Sequence, residues 1–314
     1  MTPIVFSTDD NYVMPTAVAI RSIVANTDLG VIDFFILFKD SLSAKSKAIL
    51  KRAVQWERKT VNLDFLNVAS FVNRAESHIG HISGATYYRL ALPDLLQRYD
   101  QCLYLDGDII VAGDIKPLLE MSLADEYLVA GVKATGPIFY KSKDRKKILE
   151  ELEIPDLDQY VNAGVLLMNL KGMRKENLAN KMIQMIPKEY TVQDQDIINI
   201  VCYNKIYFLG PQYNAMPTIF EYPKAVLNKA YSLNDIREAK KTPRIIHFAN
   251  KYKPWKYSDR PKGDIWYATY QNIFSDSLSR IALSRIERMH RWLNRVKNIV
   301  YSLFNGGCNG ERKN

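Results

Sequence analysis

Residues 103–111 read Leu-Tyr-Leu-Asp-Gly-Asp-Ile-Ile-Val, so Asp106 and Asp108 stand one residue apart between two apolar runs. Short apolar runs with β-branched residues predict a buried strand. Side chains alternate along a strand, so both carboxylates are expected on one side of it. Carboxylates held together repel and resist leaving water, and a divalent cation such as Mg²⁺ or Mn²⁺ relieves that cost. The alternative is an ordinary turn, because Asp-Gly-Asp is also typical of turns.

The composition is that of a globular protein, since 47% of the 314 residues are hydrophobic and 25% are charged. No apolar run approaches the roughly 20 residues that span a bilayer, and the first residues lack the charged segment of a signal peptide. Cys102, Cys202 and Cys308 are scattered, which predicts reduced thiols and not a disulfide framework. We therefore expect a cytoplasmic protein.

The positive charge is concentrated at the C-terminus. Residues 278–314 hold eight Lys or Arg against two Glu, whereas the rest of the chain is nearly balanced. No internal repeat or low-complexity linker interrupts the body. We expect one domain over residues 1–275 and a basic tail over residues 276–314, with an anionic membrane or nucleic acid as the kinds of partner that such charge attracts.

Strands and helices alternate in the first part of the chain. Strands are predicted over residues 3–7, 31–38 and 61–65, with helices over residues 13–25 and 43–56 between them. This order predicts an α/β fold with a largely parallel sheet and helices on both faces. Further strands are predicted over residues 103–111, 127–132, 160–169 and 244–248, and further helices over residues 141–152 and 172–186 and from residue 193 onward.

Two polar segments allow two interpretations each. Asp9, Asp10 and Asn11 follow the first strand, where α/β sheets often bind ligands, but the same residues are suited to capping the next helix. The second segment, Gln193 to Asp196, opens a helix, where acidic residues are favoured by the helix dipole. The same mixture of amides and carboxylates also suits sugar hydroxyls, which need both donors and acceptors.

Arg89 and His247, each considered alone, also allow more than one interpretation. Arg89 precedes the strand with the two aspartates, where it is expected either to pair with Asp106 or to bind a phosphate, or else to be an ordinary surface residue. His247 ends a late strand and is either a third metal ligand or a core histidine. His78 and His81 lack further ligands at metal-binding spacing.

Several separated motifs, in this order, resemble those of glycosyltransferase family 8, in particular the bacterial α-galactosyl- and α-glucosyltransferases of lipopolysaccharide and lipooligosaccharide synthesis. The resemblance covers about residues 3–258. The motifs lie at residues 4–12, 104–108, 162–169, 193–196, 247–248 and 253–255.

This resemblance implies a GT-A fold with a single Rossmann-like domain, and retaining transfer of galactose or glucose from a UDP-sugar to a saccharide acceptor of a cell-surface glycan or glycolipid. It implies Mn²⁺ as the cofactor, with Mg²⁺ as the alternative ion. The implied metal ligands are Asp106, Asp108 and His247. The implied donor-binding residues are Ser7, Asp9, Asn11, Tyr12, Arg89, Asp106, Gly107, Asn162, Ala163, Asp194, Gln195, Asn250 and Lys253. The implied acceptor-binding residues are His81, Thr86, Pro217 and Thr218.

The resemblance also assigns catalytic roles. Gln195 is expected beside the anomeric carbon, and Asp194 is expected to orient sugar hydroxyls. The chain departs from the family at Asn250, where the family usually has Gly and where a backbone nitrogen meets phosphate. Asn tolerates a positive φ better than most residues, so we expect the loop to persist. The alternative to an enzyme is a homologue that binds metal and nucleotide sugar without transfer.

Apolar residues recur at the helical period over residues 278–304, and Arg and Lys occupy much of the remaining surface. A basic amphipathic helix with Trp is typical of proteins that bind a membrane surface, so we expect peripheral association with the inner face of the cell membrane. The alternative is a helix that packs on the catalytic domain. Nucleic acid is not expected, because the body is nearly neutral and contains no nucleic-acid-binding motif.

Overall fold

A seven-stranded sheet with the strand order β3-β2-β1-β4-β7-β6-β8 forms the centre of the molecule, and a separate pair, β5 and β9, lies beside it. The computed structural model describes residues 1–39, 41–71, 85–188 and 190–305. Within these residues β7 runs against the other six strands of the large sheet, so the prediction of a mostly parallel sheet is confirmed. The strands are β1 (Ile4–Ser7), β2 (Val31–Phe38), β3 (Thr60–Asn67), β4 (Cys102–Leu105), β5 (Ile109–Val111), β6 (Val129–Lys133), β7 (Val161–Met168), β8 (Ile206–Phe208) and β9 (Ile245–His247).

Helices cover both faces of this sheet, as the alternating pattern predicts. Ile4 and Phe6 point into one hydrophobic cluster and Val5 points into the other, so strand β1 is buried on both sides. The helices are α1 (Val13–Asn26), α2 (Ala44–Ala53), α3 (Leu92–Leu95), α4 (Lys116–Leu119), α5 (Ser142–Leu152), α6 (Leu170–Lys175), α7 (Leu178–Met185), α8 (Asp194–Val201), α9 (Pro217–Glu221), α10 (Lys224–Leu227), α11 (Leu233–Lys241), α12 (Gly263–Gln271) and α13 (Arg285–Asn305).

The stretch with the two aspartates is not one continuous strand, so that prediction is wrong. Strand β4 pairs with β1 and β7 up to Leu105, and the chain then turns through Asp106, Gly107 and Asp108. The amide of Asp106 makes one more hydrogen bond, to the carbonyl of Gly164 in β7, before the chain leaves the large sheet. The next residues find a partner in β9, with Ile109 opposite His247.

Three other segments also differ from expectation, one of them the C-terminal helix, which begins at Arg285 and not at residue 278, where the apolar period begins. The helix predicted over residues 172–186 is two helices, α6 and α7, because Asn177 adopts a left-handed backbone with φ of 55° between them. Residues 214–222, which the sequence predicts to be a loop with aromatic residues, contain the short helix α9, with Pro217 at its first position. Within the described residues, none of the helices combines the length and the apolar character that crossing a bilayer requires.

The last described helix, α13, packs against the body along one side. Arg291 contacts Glu221 at 2.6 Å, Lys229 donates a hydrogen bond to the carbonyl of Ser302, and Ile299 packs on the main hydrophobic cluster. The opposite side of the helix exposes large apolar residues, which are 48–64% accessible: Ile286, Met289, Trp292, Leu293, Val300 and Leu303. Packing on the domain therefore describes one side of this helix only.

Candidate active site

The pairing of β5 with β9 brings His247 next to Asp106 and Asp108, from which it is distant in sequence. The amide of Phe248 donates a hydrogen bond to the carbonyl of Asp108 at 3.0 Å, which fixes the register beside His247. His247 Nε2 then lies 3.2 Å from Asp108 Oδ1 and 3.7 Å from Asp106 Oδ2. The turn interpretation and the metal interpretation of Asp-Gly-Asp are thus compatible, because the turn itself presents both carboxylates to the imidazole.

These three groups fit a divalent cation. One ligand atom from each lies within 4.8 Å of the others, and oxygen and imidazole ligands suit Mn²⁺. Gly164 leaves the space in front of the cluster open, because a Cβ atom there would lie 2.2 Å from His247 Cε1 and 2.7 Å from Asp106 Oδ2. The residues present therefore form a site for an ion, held by two carboxylates and one imidazole.

Asn214 orients the imidazole. Its Oδ1 lies 2.9 Å from His247 Nδ1 and accepts a hydrogen bond from it, so Nε2 is the ring nitrogen that faces the two carboxylates. Asn214 is completely buried, and its Nδ2 donates to Asn162 Oδ1 at 2.8 Å. Sequence reasoning missed Asn214, because a single Asn in a segment interpreted as a loop has no distinguishing pattern.

Lys253 adds a positive charge beside the cluster. Its Nζ forms an ion pair with Asp108 Oδ2 and donates to the carbonyl of Phe248 at 2.9 Å. Burial alone would raise the pKa of Asp108, but His247 and Lys253 outweigh it and lower that pKa below its ordinary value. The pKa of Tyr12, which faces the two carboxylates, is raised chiefly by burial and further by Asp108 and Asp106. Asp108 is therefore a carboxylate over the physiological range.

Arg89 joins the metal cluster to Asp194, and the predicted pairing with Asp106 is confirmed. The guanidinium is 4% exposed and contacts Asp106 Oδ1 through Nη2 and Asp194 Oδ2 through Nε, both at 2.9 Å. It also lies 4.2 Å from the ring centre of Tyr104. Burial raises the pKa of Asp194, and the charge of Arg89 opposes this rise. Thr86 Oγ1 donates to the other oxygen of Asp194 at 2.6 Å.

Gln195 is held by hydrogen bonds at both atoms of its amide. Its Oε1 accepts from Asn162 Nδ2 at 2.8 Å and from the amide of Ala163 at 3.1 Å. Its Nε2 donates to Tyr160 Oη at 3.1 Å, and Tyr160 donates in turn to Asp196. The amide of Gln195 consequently has one fixed orientation. Tyr160 is a second residue of this network that sequence reasoning missed.

Two cavities adjoin at the cluster and share Thr86, Arg89 and Asp106. One has a volume of about 270 Å³ and extends over Asn162, Ala163, Gly164 and residues 191–195. The other has a volume of about 300 Å³ and extends over Ser7, Tyr12, Tyr104, Gly107 and Asp108. The first cavity thus contains the predicted donor-binding residues Asn162, Asp194 and Gln195, the second contains Ser7 and Tyr12, and the predicted metal ligand Asp106 lines both.

Some predicted residues have other observed contacts. Asp9 Oδ1 accepts from the amide of Tyr12 at 2.8 Å in the turn before helix α1, which has no side-chain cap of its own, and Asn11 is exposed. Asn250 Oδ1 accepts from the amide of Tyr252, and Asn250 has no positive φ, so the family's Gly is not required by the backbone here.

The predicted acceptor residues are partly described. Thr86 lines both cavities, and Thr218 Oγ1 lies 2.8 Å from Thr135 Oγ1. Pro217 begins helix α9. His81 lies outside the described residues, as do His78 and Cys308. The assignment of His81, Thr86, Pro217 and Thr218 to the acceptor stays a prediction.

The fold is the GT-A fold of glycosyltransferases. The chain matches Glycosyl transferase family 8 over residues 3–259, and it belongs to that family. It is 29% identical over 268 residues to General stress protein A of Bacillus subtilis, which covers 80% of this chain and 86% of that protein. It is 28% identical over 296 residues to the lipopolysaccharide 1,2-glucosyltransferase of Escherichia coli, covering 92% and 83% respectively.

A solved structure gives the same result for the fold. The structure of an active-site mutant of LgtC, a galactosyltransferase, matches this protein with a TM-score of 0.69 and 25% identity, over 86% of this chain and 96% of that one. The predictions of a GT-A fold, of membership in glycosyltransferase family 8 and of an enzyme that transfers sugars are confirmed. The identity of the ion, the donor and the stereochemical course stay predictions.

Proposed function

We propose that this protein transfers galactose or glucose from a UDP-sugar to a saccharide acceptor of a cell-surface glycan or glycolipid, with retention of configuration and dependence on Mn²⁺, Mg²⁺ being the alternative. The supporting observation is the cluster of Asp106, Asp108 and His247, of which Asp106 lines both cavities. The Escherichia coli relative, named as a glucosyltransferase of lipopolysaccharide, supports both the hexose and the acceptor class.

In this proposal the protein stabilises the departing UDP. When bound by the three ligands, a divalent ion supplies positive charge next to the diphosphate. Lys253 supplies a second charge from the protein itself, because its Nζ already lies at the edge of the cluster beside Asp108. Stabilisation of the leaving group by charges held in place is expected to be the largest contribution to the rate. Tyr12 closes the nucleotide side of the site, where its ring meets Trp255 at 5.7 Å.

The side chains around the donor sugar favour attack from the same face that the UDP leaves. A covalent intermediate would need a free carboxylate beside the anomeric carbon. Asp194 instead accepts from Thr86 and pairs with Arg89, and Gln195 is an amide engaged at both ends. We assign to these two residues the orientation of the sugar, with Asp194 bound to its hydroxyls and Gln195 beside the reacting carbon.

A donor screen tests this function. UDP-galactose, UDP-glucose and their N-acetyl analogues are incubated with the protein and Mn²⁺, and UDP release is measured without acceptor. We expect release from one of the two hexose donors, loss of release with EDTA, and loss in Asp108→Asn. Binding of UDP and Mn²⁺ without any release from the four donors would identify a non-catalytic homologue instead.

We further propose that the exposed side of helix α13 binds the anionic inner face of the cell membrane, where a lipid-linked acceptor resides. Apolar side chains, Met289 and Trp292 among them, and basic residues share this helix. Sedimentation with anionic vesicles tests the proposal. The double change Met289→Ser and Trp292→Ser should abolish co-sedimentation, whereas Leu233→Ser, at a position equally exposed on another helix, should not. Equal recovery of all three proteins would remove the membrane from the proposal.

A further inference from the structure

The C-terminal helix is joined to the site region by a cluster of Glu221, Arg260 and Arg291. Glu221 Oε1 accepts from Arg260 Nη2 at 2.8 Å and from Arg291 Nη2 at 2.6 Å. The side chains are 18%, 2% and 22% exposed respectively, so water has little access to the shared carboxylate. Charge pairs shielded in this way interact more strongly and keep more precise geometry than exposed pairs.

Glu221 is the last residue of helix α9, which begins with two of the predicted acceptor residues, Pro217 and Thr218. At its start the helix is attached to the sheet region, because Thr218 Oγ1 meets Thr135 Oγ1. At its end it is attached to α13 through Arg291 and to the segment just before α12 through Arg260. A helix of five residues has little stability of its own, so these attachments determine where it lies.

Arg291 also contacts the segment that carries Lys253, one of the predicted donor-binding residues. Its guanidinium lies 4.6 Å from the ring centre of Tyr252, and that of Arg260 lies 5.7 Å from the same ring. Tyr252 directly precedes Lys253, which is held separately by Asp108 and by the carbonyl of Phe248. Arg291 therefore bridges the acceptor helix and the donor segment, although Lys253 has its own support.

We propose that Arg291 is a positioning residue for the acceptor: from the C-terminal helix, it fixes helix α9, and with it Pro217 and Thr218, relative to the donor segment. This inference rests on the proposed function, because it takes the acceptor to bind at α9. It gives helix α13 a role in transfer that is separate from binding a membrane, since Arg291 points to the body and not to the exposed apolar side.

The test compares Arg291→Ala and Arg291→Lys in the full chain with Arg237→Ala, which removes the same charge at an exposed position on helix α11. UDP release without acceptor is measured beside transfer to methyl galactoside and methyl glucoside. In Arg291→Ala we expect KM for the acceptor to rise about tenfold, part of the hundredfold that misplacement by about 1 Å can cost. Donor hydrolysis should stay within about twofold, because Lys253 keeps its own contacts. Arg291→Lys should recover only part of the loss, since it keeps the charge beside Glu221 but loses the guanidinium over the ring of Tyr252.

Amide hydrogen exchange over residues 218–222 supplies a second readout that needs no substrate. Exchange should be faster in Arg291→Ala and unchanged in Arg237→Ala. Unchanged exchange, an unchanged acceptor KM, or an equal loss of donor hydrolysis and transfer would each overturn the inference. Failure of the wild-type protein to release UDP from any donor would instead refute the proposed function, and the exchange measurement would still decide whether Arg291 positions helix α9.

Discussion

Replacing Gly164 with alanine should disrupt the metal site, although none of the metal ligands is substituted. The added Cβ would lie 2.2 Å from His247 Cε1, whereas carbon atoms in contact settle at about 3.5 Å. The ring must then retreat by about 1.3 Å, the difference between these two distances. A second clash, at 2.7 Å from Asp106 Oδ2, pushes another ligand in its own direction. Metal–ligand distances tolerate only about 0.2 Å, so both displacements lie far outside the range.

We expect Gly164→Ala to weaken Mn²⁺ binding by about 100-fold, the upper end of what disturbed ligand orientation costs. This corresponds to about 2.7 kcal/mol. Overpacking should also lower the free energy of unfolding by about 1–3 kcal/mol. Gly113→Ala is the matched control, because its Cβ would meet Arg244 Cα at an ordinary 3.6 Å.

The assay is titration of the metal-free proteins with Mn²⁺, read by the electron paramagnetic resonance of the free ion, with circular dichroism to establish that each variant is folded. UDP release from the preferred donor is measured at low and at high Mn²⁺. If folded Gly164→Ala binds Mn²⁺ within threefold of wild type, the ion does not sit among Asp106, Asp108 and His247, and the reasoning from this geometry is refuted.

Other variants test a metal ligand and the residues that hold His247 and Gln195 in place. Asp108→Asn should abolish Mn²⁺-dependent UDP release, and near wild-type release at limiting Mn²⁺ would contradict the ligand assignment. Asn214→Ala should weaken Mn²⁺ affinity by about 10–100-fold, since His247 loses the partner of its Nδ1, and calorimetric titration measures this. Tyr160→Phe should cost about 1–3 kcal/mol in urea unfolding and lower the turnover number, because the amide of Gln195 loses the hydroxyl that orients it. The pKa of Asp108 is lowered in the folded protein although burial opposes this, so the unfolded chain binds a proton first as the pH falls. Its pairing therefore stabilises the metal-free protein above about pH 4 and is lost in more acid solution, so between pH 6 and pH 3 the Tm of wild type should fall further than that of Asp108→Asn.

In the C-terminal helix, a local sequence pattern predicts the helix itself, whereas a distant contact decides how the helix is oriented. Its apolar period and its basic residues are visible in the sequence and predict an amphipathic helix. Which side faces the body is decided by Glu221, a residue 70 positions away that no local pattern connects with Arg291. The same holds for Asn214, which became a site residue only because folding buried it beside His247.

The sequence alone determined the elements whose cause is local: the apolar strands, the helices between them and the turn chemistry of Asp-Gly-Asp. With the family's motifs it also identified Asp106, Asp108 and His247 as one group. Only the tertiary structure decided that residues 103–111 divide between two sheets, because residues 109–111 form their backbone hydrogen bonds with β9, a segment that no local pattern connects with them. That change of sheet sets Asp108 next to His247, so the site's geometry results from a pairing between segments more than 130 residues apart.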